Sequence, residues 1–406
     1  MSSLQREIHK QVVERMDLTT DVSDEEILQL IDEVIFAGEE SQYLSVWDKL
    51  QLQKDVFYSL RGLDVLQELV DNKQITEIMI NGSKDIFIEE KGRIRRWNKS
   101  FLNKEKLEDV VQQIVSRANR VVNEASPIVD TRLPDGSRVN VVLPPVALNG
   151  PIVTIRKFPE KAMDMKQLLE FGAITKEAAV FLQKLVQAKM NLFISGGTGS
   201  GKTTFLNILS NYIPEDERII TIEDSAELQI TQIPNLVRLE TRNANVEGKN
   251  AISIRDLIKS ALRMRPDRII IGEIRDGAAL DLLSALNTGH DGSLSTGHAN
   301  SPEDMLSRLE TMTLMSDVEL PLEAVRRQIS SALEIVVHLG RLRDKSRKVL
   351  QIVEVLGMQD GIIQTMPLYE FVEEGEDEEG NVIGSLQPTG YQLQQTEKLK
   401  RAGILL

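Results

Sequence analysis

The clearest chemistry in this chain of 406 residues lies in Gly196-Gly197-Thr198-Gly199-Ser200-Gly201-Lys202-Thr203, which fits G-x-x-x-x-G-K-S/T at every fixed position. The apolar run Asn191-Leu192-Phe193-Ile194 leads into it, and Thr204, Phe205, Leu206 and Ile208 continue it as a helix. A chance glycine-rich turn would not carry strand and helix on the correct sides. Glycines let successive N–H groups turn inward around phosphates, and the helix amino terminus adds partial positive charge. Gly197, Thr198, Gly199, Ser200, Gly201 and Thr204 are therefore expected to wrap a nucleotide's phosphates. Lys202 should reach the β- and γ-phosphates, and the Thr203 hydroxyl should ligate Mg²⁺.

Hydrolysis needs a further group that orients or activates water. Arg268-Ile269-Ile270-Ile271-Gly272-Glu273 is an apolar strand ending in a carboxylate, which makes Glu273 the first candidate. A second strand, Ile219 to Ile222, ends at Glu223-Asp224. Buried strands also end in acid for solubility alone, and spacing does not choose between these readings. Of the four histidines, His290 and His298 share the segment Thr288 to His298. With no third ligand nearby they favour hydrogen bonding to phosphate over zinc.

These groups need a scaffold. From Met190 onward, strand-like and helix-like segments alternate, which predicts a parallel sheet with helices on both faces. Glu334 to Leu342, Lys348 to Gly357 and Ile362 to Val372 look like antiparallel strands, and the acidic run Glu373 to Glu379 reads as a solvated hairpin loop. Upstream, residues 61–156 read as an α+β module, with strands at Glu77–Asn81, Asp85–Glu90, Arg93–Trp97, Arg138–Val142 and Ile152–Arg156 and a helix over 103–122. Residues 157–166 read as a short interdomain connection and 1–60 as amphipathic helices. Leu4, Ile8, Val12 and Met16 form a stripe expected to pack on the neighbouring domain, and Ser23 with Glu26 forms a capping box.

Composition narrows the class. The 48 Lys and Arg against 62 Asp and Glu give a net charge of −14, which with 4% aromatic residues disfavours a nucleic-acid motor. Zero cysteines exclude thiolate chemistry and cysteine-ligated zinc. No apolar run reaches the length of a membrane span, and MSSLQREIHKQVVER lacks a signal-peptide core, so a cytosolic protein is expected, with peripheral membrane attachment through partners left open.

Several segments in order, ITEIMING, PDGSRVNVVLPPVALNGPIVTIRKF, the glycine loop, VRLETRNANVEGK, LRMRPDRIIIGEIRD, LNTGHDGSLSTGHANSP and the ending GILL, resemble the secretion ATPase superfamily of type II and type IV systems. The resemblance is closest to the CpaF-type assembly ATPases of Tad/Flp pili. It implies a RecA-like P-loop NTPase domain over 167–406 behind the smaller α+β domain and helices. It implies catalytic roles for Glu223 (Asp box), Glu273 (Walker B) and His298 (His box), with Arg138 and Arg156 reaching the nucleotide from the amino-terminal domain and Arg238 and Arg242 as further candidates. It also implies a homohexamer that hydrolyses Mg-ATP and drives a membrane platform assembling pilin-like subunits. The alternative is a type IV secretion or DNA-transfer ATPase, and a non-catalytic nucleotide-gated scaffold stands behind both. Gly297 departs from relatives with a bulkier aliphatic residue there, and the tetracysteine module of many type II relatives is absent.

Overall fold

The computed structural model describes residues 3–16, 22–38, 40–90, 92–158, 162–242, 244 and 249–406. The chain forms two compact units, Met1–Glu160 and Lys161–Leu406.

The first unit opens with helices α1 (Ser3–Arg15), α2 (Asp24–Ala37) and α3 (Val46–Leu60). Ser23 and Glu26 make the capping box at the start of α2, each side chain accepting the other's backbone N–H. The apolar stripe of α1 finds a partner nearer than expected. Ile8 and Val12 close a small core of their own with Ile27, Ile31, Val34 and Ile35 of α2 and Leu52 and Val56 of α3.

After α4 (Val65–Asp71) come β1 (Ile75–Asn81), β2 (Ile86–Glu90), β3 (Arg93–Arg96), α5 (Lys104–Arg117), β4 (Ile128–Arg132), β5 (Arg138–Val142) and β6 (Ile152–Arg156). The strands make one antiparallel sheet in the order β3-β2-β1-β6-β5-β4. Its inward alternates, among them Ile78, Ile80, Val139, Val141, Val153 and Ile155, pack on the apolar face of α5. That helix is shorter than its apolar pattern: it ends at Arg117, and Asn119 turns into the left-handed region at φ 54°. Lys157 N–H still donates to Thr76 O beyond β6, and residues 159–161, within the expected connection, lie outside the described residues.

The second unit runs α6 (Met165–Glu170), α7 (Lys176–Gln187), β7 (Leu192–Gly196), α8 (Lys202–Ser210), β8 (Ile219–Glu223), β9 (Leu236–Glu240), α9 (Ile254–Ala261), β10 (Arg268–Ile271), α10 (Ala278–Leu286), β11 (Leu294–His298), α11 (Pro302–Leu314), α12 (Leu322–Ala332), β12 (Ile335–Arg341), β13 (Arg347–Gln359), β14 (Ile362–Glu376), β15 (Val382–Pro388) and α13 (Glu397–Arg401). Its nine-stranded sheet has the order β15-β14-β13-β12-β7-β11-β10-β8-β9. From β12 to β9 every neighbouring pair is parallel. Alternate residues of each buried strand feed opposite cores: Leu192 and Ile194 join α7 and α8, while Phe193 joins α10 and α11. The α/β architecture expected from alternation is therefore present, with helices on both faces.

The three strands expected to be antiparallel are so among themselves, and two details refine the reading. β12 is antiparallel to β13 but parallel to β7, so the carboxy-terminal strands extend the central sheet and lie beside the glycine loop. The acidic run is also not all loop: Glu373 and Glu376 sit on β14, where Arg343 pairs with both at 2.6 and 2.5 Å.

One buried ion pair closes the end of the sheet remote from the glycine loop. Arg268, fully buried, makes a two-pronged pair with Glu217 (2.6 and 2.8 Å) and donates to Val186 O and Gly292 O.

Candidate active site

Parallel strands deliver their carboxyl ends to one edge, where ligands of α/β sheets bind. β7 runs into the loop at Gly196, whose φ of +151° and closeness to the Leu339 carbonyl leave no room for a Cβ. Gly201, left-handed at φ +97°, starts α8. Between them Ser200 Oγ donates to Gly197 O at 2.9 Å, and no heavy atom would meet a Cβ at Gly197 or Gly199, so the cradle is open. Lys202, nearly buried, donates from Nζ to Gly197 O at 2.8 Å, with Thr203 and Thr204 on the first turn behind it.

The neighbouring strands bring their groups to this lysine. β11 pairs with β7 so that His298 stands opposite Gly196. His298 Nδ1 lies 3.2 Å from Lys202 Nζ, and its Nε2 lies 3.0 Å from Glu273 Oε1, close but without hydrogen-bond alignment. Lys202, His298 and Glu273 thus form a continuous line from phosphate loop to carboxylate. Burial pushes the Glu273 carboxyl up, but Arg275, His298 and Lys202 together outweigh it and hold the group below its usual range, ionised. Arg275, which sequence reasoning left without a role, donates from Nη2 to Glu273 Oε2 at 2.8 Å and lies 3.8 Å from Asp224. Its position two residues after the strand-end acid was the available signal.

Glu223 differs from Glu273. It is buried, one oxygen accepts the N–H groups of Glu227 and Leu228, and the other has no hydrogen-bond partner among the described residues. Burial raises its pKa against those hydrogen bonds and the nearby Arg238. Gly272 is pressed against it, and a Cβ there would lie 3.0 Å from Glu223 Cγ. A hydroxyl at Thr203 and an orphaned carboxylate oxygen at Glu223 are hard oxygen donors of the kind Mg²⁺ takes alongside phosphates and water. Arg238 is exposed on the edge strand β9, and Arg242 is committed to Asn250 O.

Among the described residues His290 and His298 belong to no cluster of three or more metal-ligating side chains. His290 lies in the turn before β11 and contacts Ala285 O, while His298 ends the strand, whose own length from Leu294 to His298 is about 13 Å at strand rise. Burial, the largest influence on His298, keeps its pKa below the ordinary value, so the ring is neutral at pH 7. A second cation would then appear beside Lys202 only as pH falls below about 6.5. The profile of kcat/KM for ATP, which reports free-enzyme groups, should be flat above that pH and fall below it. His298→Asn should lose that acidic limb. An unchanged limb in the variant would assign it elsewhere.

In the first unit, Arg138 and Arg156 stand directly opposite each other on β5 and β6, and Arg132 on β4 faces Arg138 from the other side. The row continues on β1, where Glu77 stands opposite Arg156, so three arginines and one carboxylate share one cross-strand row. Arg132 went unnoticed in sequence because β4 lacks apolar alternation.

A family model described as type II/IV secretion system protein matches residues 59–389. A putative conjugal transfer protein of Mycobacterium tuberculosis is 33% identical over 316 residues, covering 76% of this chain and 89% of that protein. The type IV secretion system protein VirB11 of Brucella suis is 33% identical over 303 residues, 68% of this chain and 84% of that one. Among solved structures, the pilus retraction motor PilT with bound ADP is similar in fold, with a TM-score of 0.51 at 16% identity over 84% of this chain and 87% of that one. Phosphate loop, strand-end carboxylates and relatives agree: the chain belongs to the type II/IV secretion system protein family and is an ATP hydrolase of RecA-like fold.

Proposed function

We propose that this ATPase is a homohexameric motor that hydrolyses Mg-ATP to drive a membrane platform assembling pilin-like subunits, as in CpaF-type Tad/Flp systems. The observation that carries the catalytic part is the Lys202–His298–Glu273 line at the mouth of the phosphate loop. In this reading the loop and Lys202 bind the phosphates, and Glu273 takes the proton of an attacking water. His298 reports the γ-phosphate to Glu273, with Glu223 as second carboxylate. Bound Mg²⁺, held by Thr203, would offset charge on the triphosphate. Arg138 and Arg156 supply cations to the transferred phosphoryl group from the first unit, with Arg132 in the same row. No helix among the described residues is long and apolar enough to cross a membrane, which suits attachment at the membrane through partners.

A second reading, a type IV secretion or DNA-transfer ATPase, is favoured by the conjugal-transfer and type IV secretion names of the two relatives above. The client distinguishes them: a pilus platform co-purifying with the chain supports the first, a conjugation apparatus the second. The motor itself is tested by Mg-dependent ATP turnover across protein concentration, with and without single-stranded DNA. Turnover per subunit that rises with concentration and ignores DNA is expected. Strong stimulation by DNA would replace this reading with a nucleic-acid motor, and absent turnover would leave a scaffold.

A further inference from the structure

The hairpin between β12 and β13, Arg341-Leu342-Arg343-Asp344-Lys345-Ser346-Arg347-Lys348, concentrates cations beside the phosphate loop because β12 pairs with β7. Two of them are committed elsewhere. Arg343 is clamped by Glu373 and Glu376, and Lys348 donates to Phe171 O and Gly172 O. Arg347 is different. It is exposed, and its Nε donates to Gly199 O within the loop at 2.8 Å. Its Cδ lies 3.7 Å from where a Cβ of Gly201 would stand. Among the described residues its two terminal nitrogens donate to no protein group, and Arg341 faces it across the hairpin, a like-charge pair that an anion would relieve.

We propose that Arg347 is a nucleotide-binding residue whose guanidinium, anchored on the phosphate loop through Nε, takes the α- and β-phosphates. The sheet order assigns the flank. β11, which ends in His298, and β10, which Glu273 follows by two residues, lie on one side of β7, and β12 and β13 lie on the other. Arg347 therefore approaches the loop opposite the γ-phosphate chemistry, where ADP and ATP are alike. A planar fork with two free prongs matches phosphate oxygens bidentately. This inference rests on the ATPase reading and adds a residue that family motifs did not bring forward.

The test titrates the full chain with ADP and with a non-hydrolysable ATP analogue, alongside Arg347→Ala and Arg347→Lys. Arg347→Ala should weaken both nucleotides equally, by about tenfold, the scale of a charge-assisted hydrogen bond. Its loss of kcat/KM should appear in KM, the mark of binding shared by ground and transition states. Arg347→Lys, which keeps the charge and loses the fork, should fall between. Nucleotide-free melting of both variants matching the unaltered chain shows that the effect is on binding. Equal affinity of all three chains for ADP overturns the proposal, as does a loss confined to the ATP analogue. If the unaltered chain does not bind ADP, the ATPase reading fails and takes this inference with it; if it binds and Arg347→Ala binds equally well, only this inference fails.

Discussion

Glu273→Gln should bind ATP as the unaltered protein does and turn it over at least about 100-fold more slowly, measured as kcat for phosphate release at saturating ATP. The substitution is nearly isosteric and keeps an oxygen for Arg275 Nη2, now 2.8 Å away, so the geometry of the sheet edge survives. What it removes is a carboxylate able to take a proton. Arg275, His298 and Lys202 hold that carboxylate ionised against its burial. Lys202→Ala offers the contrast, losing nucleotide binding and turnover together, because Nζ lies in the loop, 2.8 Å from Gly197 O. Undiminished turnover in Glu273→Gln would take Glu273 out of the chemistry and make Glu223, with its one unpartnered oxygen, the leading carboxylate.

Arg268→Met should destabilise the second unit by about 3–5 kcal/mol, the cost of leaving one partner of a buried pair uncompensated. The thermal midpoint should drop by about 10 °C. The guanidinium is fully buried and meets both oxygens of Glu217, and the Lys189 ammonium 3.4 Å from Glu217 is partly exposed and a weak substitute. Two carbonyls, Val186 O and Gly292 O, would also lose a donor. The double variant Arg268→Met with Glu217→Leu should recover much of the loss, since an apolar pair of similar volume replaces the buried charges. A single variant as stable as the unaltered protein in thermal and denaturant melts would show that water reaches Glu217.

Local chemistry made the glycine loop legible. Strand, glycines, lysine and helix are contiguous, so their geometry follows from neighbours in sequence. The place of Glu223 and Glu273 was legible in the same way, because each follows an apolar strand, whereas spacing did not choose a role for either. Contacts across long separations were not legible. Nothing in Ile335 to Arg341 says that it lies parallel to β7, since an apolar strand of that length serves either pairing. Consequently Arg347, nearly 150 residues from Gly199 in the chain, carried no signal of its place on the phosphate loop. Arg268 looked like the polar start of a strand, and its burial depends on Glu217, which arrives from the connection between α8 and β8, about 50 residues earlier. The acidic run was legible in part: it is exposed and its end, Asp377 to Glu379, makes the turn between β14 and β15, while β14 continues through Glu376, where Arg343 pairs with Glu373 and Glu376.

Gly297 sets the spacing of the site by what it lacks. A Cβ at this position of β11 would come within 2.9 Å of Met305 and 3.0 Å of the Phe193 ring. The side chains at 193, 297 and 305 thus share one fixed volume in a close-packed interior. A relative with a branched residue at the equivalent of 297 has to surrender volume at one of the other two positions, or let β11 ride outward and carry His298 away from Lys202. Substitutions at the three sites should therefore travel together through a lineage, so that exchanging any one of them alone reads as a defect and exchanging the set reads as silence.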